Sequence, residues 1–277
     1  GNELFGGSSS DQAITLGGVT HEGEDGVNDM TYVLLKVTEL LGIRDPNVNA
    51  RFHPSVNSET YLRRLCEVNY ITAATPSLHN DQAVFASLAD RGYPIEAVRD
   101  WAATGCVEPT LSGQHMGHTG GTMFNMVAAV EMALNNGRHP LMRWEVGPKT
   151  GSVNDGDFPD FEAIYHAFAT QLDFLAEQST TYNNLLGEAH ARLRPTPLLS
   201  AFTGGCLQSG RDVTAGGARY NSSGVACIGL ADVTDSLLAI KTLVYDQGKV
   251  TLDKLRAAVN DDFQGHETNG PVLKAIE

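Results

Sequence analysis

A thiol and a carboxylate stand two positions apart at Cys106 and Glu108, within Ala103-Thr-Gly-Cys-Val-Glu-Pro109. In an extended or looping backbone, side chains at i and i+2 point the same way, so these two could address adjacent atoms of one small molecule. Gly105 allows a tight turn, while Pro109 fixes φ and removes a donor, which suits neither a helix interior nor a central strand. The tripeptide alone equally fits a space-filling cysteine with a glutamate nearby by chance. His115 and His118 are three apart, a spacing that suits a metal on a helix. They lie in a glycine-rich stretch with no third ligand in view, so no metal site is expected. His139 follows a helix end in Asn135-Asn-Gly-Arg-His-Pro140, and a cap residue there satisfies terminal carbonyls. Tyr220, in Tyr-Asn-Ser-Ser-Gly224, either lines a cavity or starts a turn.

The elements that position these groups alternate between helices and short strands. Asp29 to Leu41 carries apolar residues at Met30, Val33, Leu34, Val37, Leu40 and Leu41, a helical stripe capped by Asn28 or Asp29 and closed by Gly42. Further helices are predicted from about Thr122 to Asn135, Phe161 to Gln178, Val233 to Tyr245 and Leu252 to Val259. Pro195 to Phe202 and Val225 to Leu230 are short apolar runs that read as buried strands. The class is α/β, with no internal repeat, and sites are expected at strand ends.

With 277 residues and 42% hydrophobic content, there is ample material for a core. No apolar run approaches the roughly 20 residues of a membrane helix, and no signal-peptide pattern opens the chain, so a cytoplasmic protein is expected. The net charge of −14 argues against a nucleic-acid groove. The four cysteines, at 66, 106, 206 and 227, lack disulfide or CxxC spacing and are expected to be reduced. Cys206 and Cys227 read as core thiols.

The Gly-Cys-Val-Glu-Pro run, followed by Ser112-Gly-Gln-His-Met-Gly-His-Thr-Gly-Gly121 and Met123-Phe-Asn-Met126, resembles the cysteine loop of glycyl radical enzymes. Ala13-Ile-Thr-Leu-Gly-Gly18, Gly147-Pro-Lys-Thr-Gly151, Ala218-Arg-Tyr-Asn-Ser-Ser-Gly224 and Val233-Thr-Asp-Ser-Leu-Leu-Ala-Ile-Lys241 resemble family segments in the expected order. The resemblance implies part of a ten-stranded α/β barrel, with the cysteine on a finger loop that meets a glycyl loop. The family's Arg-Val-Xaa-Gly-Tyr glycyl motif is not found in this sequence. Residues 1–277 are therefore expected to be a partial catalytic domain, without the N-terminal half and the C-terminal glycyl radical domain.

By the same resemblance, Cys106 carries a thiyl radical, since S–H and activated C–H bonds are of similar strength. Glu108, desolvated beside it, exchanges a proton with a substrate hydroxyl or carboxyl. Both side chains are expected on a loop, facing one enclosed cavity at the end of a parallel sheet. No cofactor is bound; the radical is installed by a radical S-adenosylmethionine activating enzyme on a glycine outside this chain. Expected partners are a small-molecule substrate, the activating enzyme, the remainder of the polypeptide and a second subunit in a homodimer. Arylacetate decarboxylases carry a histidine at the position of His139, and diol dehydratases a His-Asp pair at Thr119-Gly120. With Thr119, His139 and Tyr220 as substrate-binding residues, this favours a 4-hydroxyphenylacetate-type decarboxylase. The alternatives are a diol, hydroxyproline or choline type of dehydratase or lyase, a formate acetyltransferase, and a non-catalytic binding domain.

Overall fold

The computed structural model describes residues 12–42, 45–139 and 141–276, apart from the side chains of residue 119 and residues 266–268. The chain divides into two compact units, residues 1–119 with 189–223, and residues 120–188 with 224–277.

In the first unit, β1 (Ala13–Gly17), β2 (Asn47–Phe52) and β3 (Ser77–Asn80) form a parallel sheet in the order β1-β2-β3, joined by α1 (Asp29–Leu41) and α2 (Glu59–Thr72). The register aligns Leu16 with Ala50 and Leu78, and Gly17 with Arg51 and His79. Because side chains alternate across a strand, this sorts the sheet into two faces of opposite chemistry. Leu16, Val48 and Ala50 pack under Leu35 of α1 and Tyr61, Leu65 and Val68 of α2. Thr15, Asn47, Asn49, Arg51 and His79 occupy the other face.

Asn28 caps α1 by accepting from the N–H groups of Met30 and Thr31, and Gly42 closes it in the left-handed conformation, as its sequence predicts. Its orientation differs from expectation. The residues turned inward are Thr31, Leu35 and Thr38, whereas Met30, Val33, Val37, Leu40 and Leu41 are exposed. The sheet-facing row runs at i, i+4, i+7, and a row one position away carries the stronger apolar signal.

The unit continues through α3 (Asp81–Ala89) and α4 (Ile95–Arg99) into an antiparallel hairpin of β4 (Trp101–Thr104) and β5 (Glu108–Leu111). β6 (His115–Asn125) pairs with β7 (Tyr220–Ile228). The segment read as a buried strand at 195–202 contains a helix instead. Pro197 at the first turn pre-sets helical φ, the apolar residues after it include no β-branched side chain, and Leu198, Leu199 and Phe202 are exposed.

In the second unit, α5 (Met126–Leu134), α6 (Phe161–Leu193), α9 (Leu230–Ala239), α10 (Leu252–Asn260) and α11 (His266–Ile276) enclose a core that includes Val130, Phe168, Leu237 and Leu255. Two short helices, α7 (Pro197–Phe202) and α8 (Cys206–Ser209), belong to the first unit. The helix expected from about Thr122 starts at Met126, because the preceding residues extend β6 and Asn125 supplies the cap. α6 outruns its predicted end at Gln178 by more than a dozen residues. Cys206 is buried as expected; Cys227, on β7, is exposed and is no core thiol. All four sulfurs are free. Among the described residues, no helix is long and apolar enough to cross a membrane.

Gly17 and Tyr61 set up a stability test. A methyl group on Gly17 would lie 2.2 Å from the Tyr61 hydroxyl oxygen, at φ +66°. That hydroxyl is buried without a hydrogen-bond partner. Gly17→Ala should therefore cost about 2 kcal/mol or more from overpacking and backbone strain. Tyr61→Phe, which removes an unsatisfied buried group, should gain about 1 kcal/mol. Urea unfolding measures both, and a destabilised Tyr61→Phe would show that the hydroxyl has an acceptor.

Candidate active site

The hairpin is anchored on the polar face of the parallel sheet by one buried ion pair. Arg51 Nε lies 2.8 Å from Asp81 Oδ1, and its Nη2 lies 2.9 Å from Oδ2. Neither residue is more than 6% exposed. The remaining guanidinium donors reach the carbonyls of Trp101 at 3.1 Å, Arg99 at 3.0 Å and Val19 at 3.3 Å. Asp81 accepts in turn from the Trp101 indole at 2.8 Å and from the Val19 N–H at 3.1 Å. A buried pair repays desolvation only when its remaining donors and lone pairs are satisfied; here each Asp81 oxygen accepts twice and every guanidinium nitrogen of Arg51 has an acceptor. Gly18 makes room for it: a Cβ there would come within 2.6 Å of Arg51 Cβ.

Beyond Trp101 the hairpin continues over the sheet. The Ala103 N–H donates to Thr15 Oγ1 at 3.0 Å, and the Thr104 and Thr110 hydroxyls meet at 2.6 Å across the ladder. Asn47 Nδ2 donates to the carbonyl of Cys106 at the tip. Cys106 occupies the turn between β4 and β5 and is exposed, with Gly105 before it at φ +63°. Glu108 opens β5 half-buried, and its Oε2 folds back to accept from the N–H groups of Cys106 at 3.1 Å and Val107 at 2.9 Å. The carboxylate thus closes the turn on the thiol's own backbone. Cys106 is on a loop as the sequence anticipates, but Glu108 opens β5, the thiol is exposed, and the tip is carried on an antiparallel ladder, so the expected pair of side chains facing one enclosed cavity at the end of a parallel sheet is not found among the described residues.

Glu108 and Pro109 border a cleft of about 490 Å³ with Tyr93, His115 and Ser222, and Cys106 is not in its lining. His115 Nδ1 accepts from the Leu111 N–H, which puts the proton on Nε2, 2.8 Å from Ser222 Oγ. Burial pushes the His115 pKa below its ordinary value. Tyr220 packs edge-on against Tyr93 with ring centroids 5.3 Å apart, beside the Trp101 and Leu111 core. His118 meets His190 ring to ring at 5.7 Å, and no metal-binding group of three His, Cys, Asp or Glu side chains occurs among the described residues. The side chain of Thr119 lies outside the described residues. His139 belongs to the second unit, where its Nδ1 accepts from the Leu141 and Met142 N–H groups and so closes a turn.

Asn47, Asn49 and His79 lie in no motif of the sequence. His79 Nε2 lies 2.8 Å from Asn49 Oδ1, and Asn49 Nδ2 reaches the Asn47 carbonyl at 3.4 Å, so polar groups run across the sheet toward the cysteine turn. Their signal was the strict alternation of Asn47, Asn49 and Arg51 with Val48, Ala50 and Phe52. A parallel strand buried on two apolar faces would be apolar throughout.

The pyruvate formate lyase-like family model matches residues 1–272. The trans-4-hydroxy-L-proline dehydratase of Clostridioides difficile is 32% identical over 254 residues, 92% of this chain and 32% of that enzyme. The chain belongs to the glycyl radical enzyme family. The (2S)-3-sulfopropanediol dehydratase of Klebsiella oxytoca is 33% identical over 263 residues, 95% of this chain and 31% of its own length. The crystal structure of the Clostridioides difficile hydroxyproline dehydratase with its substrate bound superposes with a TM-score of 0.82 at 31% identity, over 92% of this chain and 32% of that one. An indoleacetate decarboxylase of Tractidigestivibacter scatoligenes is 29% identical over 180 residues, 63% of this chain and 20% of its own. The chain spans about a third of the length of the dehydratases it matches, and it folds as part of a glycyl radical enzyme α/β barrel.

Two measurements bear on this hairpin. Asn47→Ala removes a donor to the Cys106 carbonyl, so faster amide exchange at Cys106 and Val107 is expected with little change in global stability; unchanged exchange would deny Asn47 a hold on the turn. Burial holds the His79 pKa below its ordinary 6.5, with Arg51 acting the same way and Asp81 opposing. The unfolded chain therefore takes up that proton first as pH falls, so stability is full above about 6.5 and declines below it until the folded-state pKa is passed. Melting between pH 7.5 and 5.5 should show this loss, and His79→Gln should lessen it.

Proposed function

We propose that this chain is the cysteine-loop section of a glycyl radical lyase that eliminates a leaving group next to a hydroxyl-bearing carbon of a small substrate. The observation that carries the reading is the Glu108 carboxylate, held against the N–H groups of Cys106 and Val107. It keeps a base and a thiol on one turn. The relatives matched over nearly the whole chain at 32–33% identity are dehydratases, which weighs elimination above the decarboxylation favoured by His139 and the glycine at 120.

A glycyl radical outside these residues would supply the oxidising equivalent. In the substrate step, the Cys106 sulfur takes a hydrogen atom from the hydroxyl-bearing carbon: an S–H bond forms, a C–H bond breaks, and the unpaired electron passes to carbon. Glu108 then takes the hydroxyl proton. The electron density left on oxygen expels the neighbouring leaving group with its bonding pair and leaves a carbonyl compound with the radical on the adjacent carbon. Return of the hydrogen atom from the Cys106 thiol completes the product. Thr119 and Gly120 offer no carboxylate to the departing group, so a simple 1,2-diol fits less well than a substrate whose leaving group is stable as an anion. Tyr220 and Thr119 remain proposed substrate contacts, and activation by a radical S-adenosylmethionine enzyme and homodimer formation belong to the same proposal.

Arylacetate decarboxylation is the second reading, supported by the partial indoleacetate decarboxylase match and by His139. With the full-length protein activated anaerobically, Cys106→Ser should abolish turnover and leave the glycyl radical signal intact in electron paramagnetic resonance, because an O–H bond is too strong to relay the hydrogen atom. Glu108→Gln should retain the radical and lower kcat by about 10²-fold or more, the usual contribution of a positioned base. Assay against trans-4-hydroxyproline, sulfopropanediol, isethionate, propanediol and 4-hydroxyphenylacetate separates the branches. Carbon dioxide from the arylacetate alone would overturn elimination, and full activity of Cys106→Ser on any of them would overturn the radical assignment.

A further inference from the structure

Three arginines, Arg138, Arg143 and Arg256, line a cleft of about 400 Å³ in the second unit, with Asn136, Ser152 and Asn260 beside them. This lies within a chain whose net charge is −14, and no carboxylate is among the lining residues. The acids that reach the arginines do so singly: Glu145 meets Arg138 at 3.4 Å and is shared with Lys149, and Asp253 meets Arg256 at 2.9 Å, where Nη2 also donates to Asn154 Oδ1 at 2.8 Å. Arg143 has the Asn260 carbonyl as its hydrogen-bond acceptor, at 3.2 Å. Glu131 also lies in the field of Arg143 and His139, and its burial raises its pKa.

Hydrogen bonds frame the cleft. The Asn135 and Asn260 amides pair reciprocally at 3.0 and 2.8 Å and tie the ends of α5 and α10 together. Asn136 Oδ1 accepts from the N–H groups of Thr150 and Gly151. Arg138 and Glu145 bridge the base of the loop, within which the Arg143 N–H donates to the His139 carbonyl at 2.9 Å. Arg143 itself sits at φ +60°, a conformation that costs a non-glycine residue energy. Capping the negative end of α10 explains one N–H of Arg143. It does not explain why three arginines share one cleft whose lining holds no carboxylate, with Glu145 and Asp253 compensating two of them from outside it and Arg143 having no carboxylate partner among the described residues.

We infer that this cleft is a binding site for a small oxyanion of the phosphate type, either free or as the head group of a small organic molecule. Guanidinium forks match such oxygens with paired, charge-assisted hydrogen bonds, and the Asn136 and Ser152 side chains add neutral partners. None of the lining residues is assigned a part in the elimination proposed for Cys106 and Glu108.

The test is calorimetric titration of the intact polypeptide that carries these residues with inorganic phosphate and with glycerol phosphate, at constant ionic strength. Saturable binding of either is expected; tighter binding of glycerol phosphate marks an organic head group, and equal or weaker binding marks the free ion. Arg143→Gly is the decisive variant, because glycine favours φ +60°: its melting temperature should hold or rise while affinity falls roughly tenfold, the worth of a charge-assisted contact. Arg256→Ala should weaken binding similarly, and Arg63→Ala, an exposed residue of the other unit, should not. Absence of saturable binding for both ligands, or equal affinity in wild type, Arg143→Gly and Arg256→Ala, would overturn the inference.

Discussion

The first unit depends on the pairing of Arg51 with Asp81. Each comes from a different strand-to-helix junction, and together they collect backbone groups from Val19, Arg99 and Trp101, so β1, β2, the start of α3 and the entry to the hairpin are fixed at one point. Removing one partner of such a pair leaves the other charged and buried, a loss on the order of 3–5 kcal/mol. Replacing both with apolar residues would spare that charge but leave three carbonyls and two N–H donors without partners. What the pair provides is therefore position: it sets where β4 begins, and so where the thiol ends up.

A parallel sheet ordinarily hides both faces under helices. Here α1 and α2 cover one face, while the other holds Thr15, Asn47, Asn49, Arg51 and His79. Side chains on that face hydrogen-bond the hairpin backbone at Ala103, Trp101 and Cys106. A short hairpin has little apolar area of its own and is marginal in isolation. Its place comes from satisfying its polar groups on a surface built of polar groups, with Trp101 and Leu111 buried at its base.

The parts of this arrangement that were legible in the sequence are those governed by local chemistry. The α1 boundaries were readable because Asn28 and Gly42 are conformational signals in themselves, and the cysteine turn because Gly105 permits the positive φ on one side of it and Pro109 fixes φ on the other. Which face of α1 meets the sheet was not, since the inward row is Thr31, Leu35 and Thr38 and periodicity records the more apolar row beside it. The run at 195–202 was misread because apolar content is common to buried strands and short helices, and Pro197 carried the distinguishing information. The reach from Asn47 to Cys106 spans 59 positions and leaves no local mark. The alternation in β2 did leave one, since polar residues at every second place of a parallel strand imply that something polar lies against them.

α1 shows how little the site needs from the apolar surface left outside. Tyr61, Leu65 and Val68 of α2 and Leu35 of α1 suffice to hold the apolar face of the sheet, each at zero exposure. Burying a Leu, Val or Met side chain is worth roughly 1.5–3 kcal/mol, and Met30, Val33, Val37, Leu40 and Leu41 keep a large part of their area in solvent. None of those five belongs to the cluster that fixes the sheet. The geometry of the cysteine turn is thus set from the inner face outward, through Leu35 and Tyr61 to the strands, from the strands to Arg51 and Asn47, and from these to Cys106. Whatever packs on the outer face of α1 can add stability, but the backbone of the cysteine turn is already held on the opposite side of the sheet.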